Sequence, residues 1–307
     1  MPDLIFHVGL GKTATTLLQK QVFPKINALG NGAKEMEKKE LEKDFRNAVL
    51  FNDESIWGKK EGDKIKRKIL KQASNNPILY SSEYLLRPTY FYPKFNKVQY
   101  NNPNKLMISS HIEKFKDLIW NGMGDVYVII TVRNQPEWIA SVYAQRSFKY
   151  SGSQKDFEKQ VKSILYHNDW NGRKFMEYDK VYNEFASIIG KDKVKILFYE
   201  ELNKLCFWED MKEFTGFDLW GDFEKISSTK TNLKKVRDNE WQISNNDLLK
   251  KIKNKIISVL KLPINKSESY RTIILKDELK NEIKKTFNES NRNLEQITGK
   301  NLKEFNY

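Results

Sequence analysis

The sequence predicts an α/β fold with a central, mostly parallel sheet and a helical C-terminal part. Short apolar runs typical of buried strands alternate with segments of helical periodicity up to about residue 198. From about residue 240 onward the chain is rich in lysine and carries only helical patterns. No internal repeat or flexible linker separates these regions, so we expect one domain, 1–307, whose helical part covers about 240–307.

The first predicted unit is a strand, a glycine turn and a helix in residues 4–23. Residues 4–8 form a short apolar run that predicts a buried strand, and the glycine-containing turn 9–11 ends it before a helical segment. At such a junction, free backbone N–H groups and the helix dipole favour an anion, and Lys12 adds a full positive charge. Hydroxyl groups follow at Thr13, Thr15 and Thr16. The unit therefore predicts a site for a phosphate or sulfate group.

The strands and helices that follow continue the alternating pattern. Strands are predicted at the apolar runs 48–51, 77–80, 125–131 and 194–198. Helices are predicted at 35–46, 62–73, 107–121, from Pro136 to about residue 150, and at 175–189, 248–262 and 276–294. Because groups just beyond the carboxyl ends of parallel strands face the ligand crevice, Glu83 is a candidate functional residue.

A second candidate anion site follows the strand at 125–131. Arg133 comes directly after this strand, and Ser141 lies eight positions further on, in the helix that Pro136 begins. A guanidinium group at a strand end and a hydroxyl group in the next helix can together bind one phosphate.

Composition and charge restrict the class of protein. The net charge of +14 predicts a positive field that favours anionic partners, although each lysine cluster fits a solvated helix face equally well. The single cysteine, Cys206, excludes an intrachain disulfide and indicates a reducing compartment. The three histidines and one cysteine form no dense zinc-ligand cluster. With no signal peptide and no apolar run of about 18 residues, we expect a cytoplasmic protein.

The sequence segments around both anion sites resemble those of a known family. The triphosphate motif G-x-x-x-x-G-K-[ST] would need glycine five positions before Gly11, where Phe6 stands. The run H-V-G-L-G-K-T-A-T-T-L-L-Q instead resembles the 5′-phosphosulfate loop of sulfotransferases that use 3′-phosphoadenosine 5′-phosphosulfate (PAPS). Ala14 replaces the family's glycine, which leaves less room for the backbone to approach the phosphate. The run T-V-R-N-Q-P-E-W-I-A-S-V-Y-A-Q resembles the 3′-phosphate site, especially that of bacterial carbohydrate sulfotransferases.

The resemblance implies a three-layer P-loop fold and a PAPS-dependent sulfotransferase. The reaction would move a sulfuryl group to a hydroxyl or amine of a glycan, glycolipid or small molecule, leave adenosine 3′,5′-bisphosphate (PAP), and need no metal. Lys12 would stabilise the leaving phosphate. Arg133 and Ser141 would hold the 3′-phosphate, and Asn232 would belong to a loop that closes over the nucleotide. The residues implied around the 5′-phosphate are Gly11, Lys12, Thr13, Ala14, Thr15 and Thr16.

The base that accepts the acceptor proton has three candidates. Glu83 comes first, because it follows a strand and related enzymes often use Glu or His in this part of the fold. Glu54 and His111 are the alternatives, and an N-cap or a surface charge accounts for each candidate as well. The aromatic segment 84–104 is either an acceptor-binding wall or packing over the sheet edge.

Two other classes of protein compete with the sulfotransferase interpretation. A P-loop kinase would need an acidic magnesium ligand at a strand end, yet the strongest strand ends in Thr131, Val132 and Arg133. A nucleic-acid-binding protein would rest on the net charge alone, because no recognised binding motif accompanies it. We therefore expect no nucleic-acid partner, a saccharide or glycolipid acceptor, and at most peripheral membrane contact.

Overall fold

The computed structural model describes residues 3–25, 28–30, 36–72, 77–83, 85–86, 106–147, 152–170, 172–217, 235–243 and 272–307. It confirms the predicted fold class, with a parallel sheet between helices and a C-terminal helix. Three predicted features lie outside these residues: the helix 248–262, Asn232 and most of the aromatic segment 84–104. Of that segment, only residues 85 and 86 are described.

The central sheet has five parallel strands in the order β2-β3-β1-β4-β5. They are β1 (Leu4–His7), β2 (Ala28–Gly30), β3 (Ile78–Ser81), β4 (Val126–Val132) and β5 (Val194–Phe198). Each of β1, β3, β4 and β5 is almost wholly buried, as expected for strands covered on both faces. Their carboxyl ends meet at one edge of the sheet, where the predicted anion sites begin.

Helices connect and cover the strands. They are α1 (Thr15–Leu17), α2 (Met36–Phe51), α3 (Lys60–Gln72), α4 (Met107–Leu118), α5 (Gln135–Arg146), α6 (Ser153–Tyr166), α7 (Tyr178–Ile189), α8 (Leu205–Thr215) and α9 (Asp277–Thr298). A π-helical turn, Leu18–Val22, and a 3₁₀ turn, Phe23–Lys25, extend α1. In the described part of the chain, no helix combines the length and apolar character needed to cross a membrane.

Two hydrophobic cores lie on opposite faces of the sheet. Because side chains alternate along a strand, Leu4 and Phe6 of β1 join the larger core while Ile5 joins the smaller. The larger core includes residues of α2 to α7 and α9, and the smaller one includes residues of α1 and α8. This arrangement of helices, sheet and helices gives the predicted three layers.

The apolar run 48–51 is a helix end, so the predicted strand there is wrong. Its buried residues Ala48 and Val49 continue a stripe that begins at Leu41 and Phe45, with helical spacing. A short apolar run alone does not distinguish a strand from the last turn of a helix. The strand at this side of the sheet is instead the three-residue β2, which the sequence analysis did not predict.

The C-terminal part contains a small antiparallel sheet besides its helix. Its strands are β6 (Lys235–Arg237), β7 (Glu240–Gln242) and β8 (Thr272–Ile274), in the order β6-β7-β8. The prediction of only helical structure beyond about residue 240 is therefore wrong for β7 and β8. The predicted helix 276–294 is confirmed as α9, which packs against α5 and α7.

Candidate active site

Both predicted anion sites open into one cleft at the carboxyl edge of the sheet. The cleft between the described residues has a volume of about 130 Å³, less than the roughly 300 Å³ of a typical small-molecule pocket, so it has room for the charged groups of a ligand that extends beyond it. Leu17, Gln145, Tyr199 and Leu202 form part of its wall. The predicted site residues that line it are Lys12, Ala14, Thr15, Thr16, Glu83, Arg133 and Ser141.

The N-terminal loop, residues 8–14, is fastened to β4 and α5. The Leu10 amide donates to the Thr131 carbonyl at 3.3 Å. The Trp138 indole Nε1–H donates to the Gly11 carbonyl at 2.8 Å, which joins the loop to the helix that carries Ser141. Gly9 has no room for a side chain, because a Cβ atom there would lie 2.1 Å from Thr131 Oγ1. The two anion sites therefore have a fixed relative position.

Two residues of the loop adopt a left-handed backbone conformation that favours glycine. Lys12 has a φ of 74° and Ala14 a φ of 64°. Ala14 also caps α1 without a side-chain hydrogen bond. An L-residue in this conformation costs about 1–2 kcal/mol, so Ala14 introduces strain directly beside the candidate anion site.

The threonine hydroxyls point in different directions. Thr13 is buried, and its hydroxyl lies 2.8 Å from the Thr131 hydroxyl and donates to the Leu10 carbonyl. This hydroxyl therefore forms its hydrogen bonds within the protein, beneath the loop, whereas the sequence analysis expected it to contact the bound anion. Gly11 likewise offers its carbonyl to Trp138 and does not line the cleft. Thr15 and Thr16 do line it, and Thr16 is exposed.

Glu83 is connected to the N-terminal unit across the cleft. The Thr15 hydroxyl donates to Glu83 Oε2 at 3.3 Å. Glu54, in the 3₁₀ turn Glu54–Gly58, and His111, fully buried in α4, are not among the described residues that line the cleft. His111 Nδ1 instead accepts a hydrogen bond from Trp57 Nε1 at 3.1 Å in the core. Of the three candidate bases, Glu83 alone lies where the anion sites meet.

Arg133 is 9% exposed and is held by an acid and an aromatic ring. Its Nη2 donates to Glu137 Oε2 at 2.6 Å, and its guanidinium carbon lies 4.5 Å from the centre of the Tyr199 ring. The buried Nε–H has no hydrogen-bond partner among the described residues. A buried donor without an acceptor is uncommon, and an anion bound beside the guanidinium would supply one.

Glu137 connects Arg133 to a distant strand. Its Oε1 accepts from Lys235 Nζ of β6 at 3.0 Å. Burial disfavours the ionised carboxyl, but Arg133 and Lys235 outweigh that effect, and the pKa of Glu137 lies below its ordinary value. The sequence analysis missed both partners. Glu137 lies only four positions from Arg133 and could have been considered from the sequence, whereas nothing local pointed to Lys235.

A partly buried carboxylate fixes the start of α5. Glu200 Oε1 accepts from both the backbone N–H and the side-chain amide of Asn134, each at 2.9 Å. Asn134 in turn caps α5 by accepting from the Glu137 amide at 3.1 Å. Burial raises the pKa of Glu200 above its ordinary value. The Tyr178 hydroxyl donates to the Arg133 carbonyl at 2.8 Å, so the backbone of Arg133 is held from both sides.

The comparison with solved structures agrees with this architecture. No protein-family model matches the sequence, and no curated protein sequence matches it. The structure is similar to that of a sulfotransferase from Alicyclobacillus acidocaldarius, with a TM-score of 0.50 and 14% identity over 100% of this chain and 99% of that one. At this identity the similarity shows the fold, so the chain has a sulfotransferase-like P-loop fold. The resemblance to the carbohydrate subfamily stays a prediction.

Proposed function

We propose that the protein is a PAPS-dependent sulfotransferase. The observation that supports this most strongly is that Lys12 and Arg133, 121 positions apart in the sequence, line the same cleft. A donor with a phosphosulfate at one end and a 3′-phosphate at the other needs two separate cationic sites that face each other. The sulfotransferase-like fold is consistent with this function but does not establish it, since one fold supports many activities.

Each end of the donor has candidate partners in the cleft. Lys12 and the Thr16 hydroxyl would hold the phosphosulfate end, while the Thr15 hydroxyl donates its one proton to Glu83. Arg133 and Ser141 would hold the 3′-phosphate, whose charge would pair with the guanidinium. The Nε–H of Arg133, which has no partner in the part of the chain that the structure describes, supports this assignment, because an anion would supply an acceptor. PAP, the product, would use the same residues.

In the proposed reaction the protein aligns the reactants and stabilises charge. The acceptor oxygen forms a bond to sulfur while the bond between sulfur and the bridging oxygen of PAPS breaks. The electron pair of the broken bond stays on the 5′-phosphate, where Lys12 would stabilise the added negative charge. The acceptor hydroxyl proton passes to the Glu83 carboxylate, and the products are a sulfate ester and PAP. The hydrogen bond from Thr15 supports this role, because it holds the base beside the candidate phosphosulfate site.

For the acceptor we propose only a broad chemical class. We infer a hydroxyl or amine on a saccharide, glycolipid or small molecule, by the resemblance to bacterial carbohydrate sulfotransferases. A cytoplasmic enzyme would have direct access to PAPS. Incubation with labelled PAPS and a panel of saccharide and lipid acceptors would identify the class that receives the label.

Calorimetry tests the donor class first. We expect the full chain to bind PAP in preference to ATP and to a short oligonucleotide at the same salt concentration. Lys12→Ala should weaken PAP binding about tenfold or more, because a hydrogen bond to a charged group contributes about 1.5–3 kcal/mol. Lys159→Ala is the matched control, since it removes the same charge from an exposed position of α6.

Two outcomes would contradict the proposal. Preference for ATP over PAP would favour a kinase. Equal weakening of PAP binding by Lys12→Ala and Lys159→Ala, together with tight oligonucleotide binding, would show that net charge alone attracts the nucleotide.

A further inference from the structure

A chain of buried polar side chains crosses the sheet beneath the N-terminal loop. Its centre is His7, the last residue of β1, which is fully buried. His7 Nδ1 lies 2.8 Å from Ser81 Oγ of β3, and His7 Nε2 lies 3.3 Å from Thr131 Oγ1 of β4. Gln19 Nε2 donates to Ser81 Oγ at 3.0 Å, and Thr131 Oγ1 lies 2.8 Å from Thr13 Oγ1. The chain thus links three strand ends to the loop.

The hydrogen-bond donors of this chain all point the same way. The Thr13 hydroxyl donates its one proton to the Leu10 carbonyl, so the Thr131 hydroxyl must donate to Thr13. Thr131 can then only accept from His7, which requires the proton of the ring on Nε2. His7 Nδ1 is left as an acceptor for the Ser81 hydroxyl, and Ser81 accepts from Gln19. One tautomer of His7 therefore provides a hydrogen-bond partner for every side chain in this buried polar chain.

The ring is neutral as well as oriented. Burial lowers the pKa of His7 from 6.5 to about 3. A protonated ring would present a second donor to Ser81 in place of the acceptor that the chain requires. The neutral Nε2–H form is thus the one that both the burial and the hydrogen bonds favour.

The chain ends at the turn that carries Lys12. Thr131 accepts the Leu10 amide with its carbonyl and pairs with Thr13 through its hydroxyl, so it holds both sides of Lys12. The same hydroxyl occupies the space beside Gly9, where a Cβ atom would also lie 3.1 Å from His7 Nε2. Displacement of Thr131 would therefore change the backbone on which Lys12 sits.

We propose that His7 is a positioning residue which, as the Nε2–H tautomer, orients Thr131 and thereby fixes the left-handed turn that presents Lys12 to the cleft. His7 does not line the cleft and does not touch the reacting groups in this scheme. The orientation of Thr131 and of the turn is a property of the protein without ligand. The consequence for nucleotide binding rests on the proposed function.

Nitrogen NMR of the ¹⁵N-labelled full chain tests the tautomer directly. We expect one histidine, assigned by the signal that His7→Gln removes, to carry its proton on Nε2 and not to titrate between about pH 5 and about pH 8. A proton on Nδ1, or a titration within that range, would overturn the proposal. His111 and His167 provide the comparison signals.

Substitutions at Thr131 test the mechanical link. Thr131→Val keeps the shape but removes the hydroxyl, and we expect faster amide hydrogen exchange in the N-terminal loop and PAP binding weaker by about tenfold. Thr131→Ser should restore most of both. The matched control is Thr215→Val in α8, which deletes another buried hydroxyl, one that donates to the Met211 carbonyl at 2.7 Å. It should lower the free energy of unfolding without changing the loop.

The outcomes separate this proposal from the proposed function. If Thr131→Val and Thr131→Ser have the same exchange rates in the loop, the positioning role is refuted, even when PAP binds well. If the wild-type protein does not bind PAP, the proposed function fails, while hydrogen exchange and the His7 tautomer still decide the positioning role. Should Thr131→Val fail to fold, the NMR result on the wild-type protein decides alone.

Discussion

The strain at Ala14 leads to a prediction of unusual sign. Replacement of alanine by glycine normally destabilises a folded protein, because glycine loses more backbone entropy on folding. Ala14, however, has φ 64° and ψ 6°, in the left-handed region. Ala14→Gly should therefore stabilise this protein, although it removes a methyl group.

The magnitude follows from opposing contributions. Relief of the left-handed conformation contributes about 1–2 kcal/mol, and the greater entropy of the unfolded glycine chain opposes it by about 0.4–1 kcal/mol. Ala14 packs partly against the smaller core, so the lost methyl group removes a few tenths of a kcal/mol more. We expect a net gain of about 0.5 kcal/mol in the free energy of unfolding.

Urea unfolding measures this difference, and Ala186→Gly is the matched control. Ala186 lies inside α7, where glycine should cost about 1 kcal/mol. The two variants make the same chemical change and should differ by about 1.5 kcal/mol because of backbone conformation alone. Equal destabilisation by both would refute the argument that the loop stores strain at Ala14.

Three further predictions concern the base, the buried histidine and the close approach at Gly9. Glu83→Gln should lower kcat at least about a hundredfold while the Kd for PAP changes little; unchanged kcat with the acceptor found by screening would exclude Glu83 as the base. As the pH decreases below about 6.5, His7 becomes protonated in the unfolded state, whereas in the folded state it stays neutral down to about pH 3. The free energy of unfolding should therefore decrease by roughly 1.4 kcal/mol for each unit by which the pH is lowered between these values. Urea unfolding at about pH 7 and about pH 5.5 should show a smaller fall for His7→Phe, and equal falls would contradict the low pKa. Gly9→Ala should cost about 1–3 kcal/mol and weaken PAP binding, because the new Cβ would lie 2.1 Å from Thr131 Oγ1; wild-type stability and affinity would show that the loop adapts.

The features that sequence reasoning predicted are those with short-range signals. The run from Leu4 through the glycine turn to Lys12, and the spacing of Arg133 and Ser141, each lie within one strand–turn–helix unit. Parallel strands then bring their carboxyl ends to the same edge, so two local patterns imply one shared site. The strand at 194–198 was predicted with the bounds that β5 has.

The features that sequence reasoning missed depend on contacts between distant segments. Lys235 meets Glu137 across 98 positions, and His7 meets Thr131 across 124. Neither contact has a local pattern. For Thr13 the local motif suggested contact with an anion, but a distant residue determines its partner. Its buried hydroxyl contacts Thr131 instead.

The central claim is that the cleft binds opposite ends of one nucleotide at Lys12 and Arg133. Calorimetry with PAP and with adenosine 5′-monophosphate, which lacks the 3′-phosphate, tests it most directly in the wild-type protein, Arg133→Ala and the control Arg67→Ala in α3. We predict that Arg133→Ala weakens PAP binding by about tenfold to a hundredfold, down to the affinity for the monophosphate, and leaves the monophosphate affinity unchanged. Equal losses for both nucleotides, or no loss for PAP, would contradict the claim.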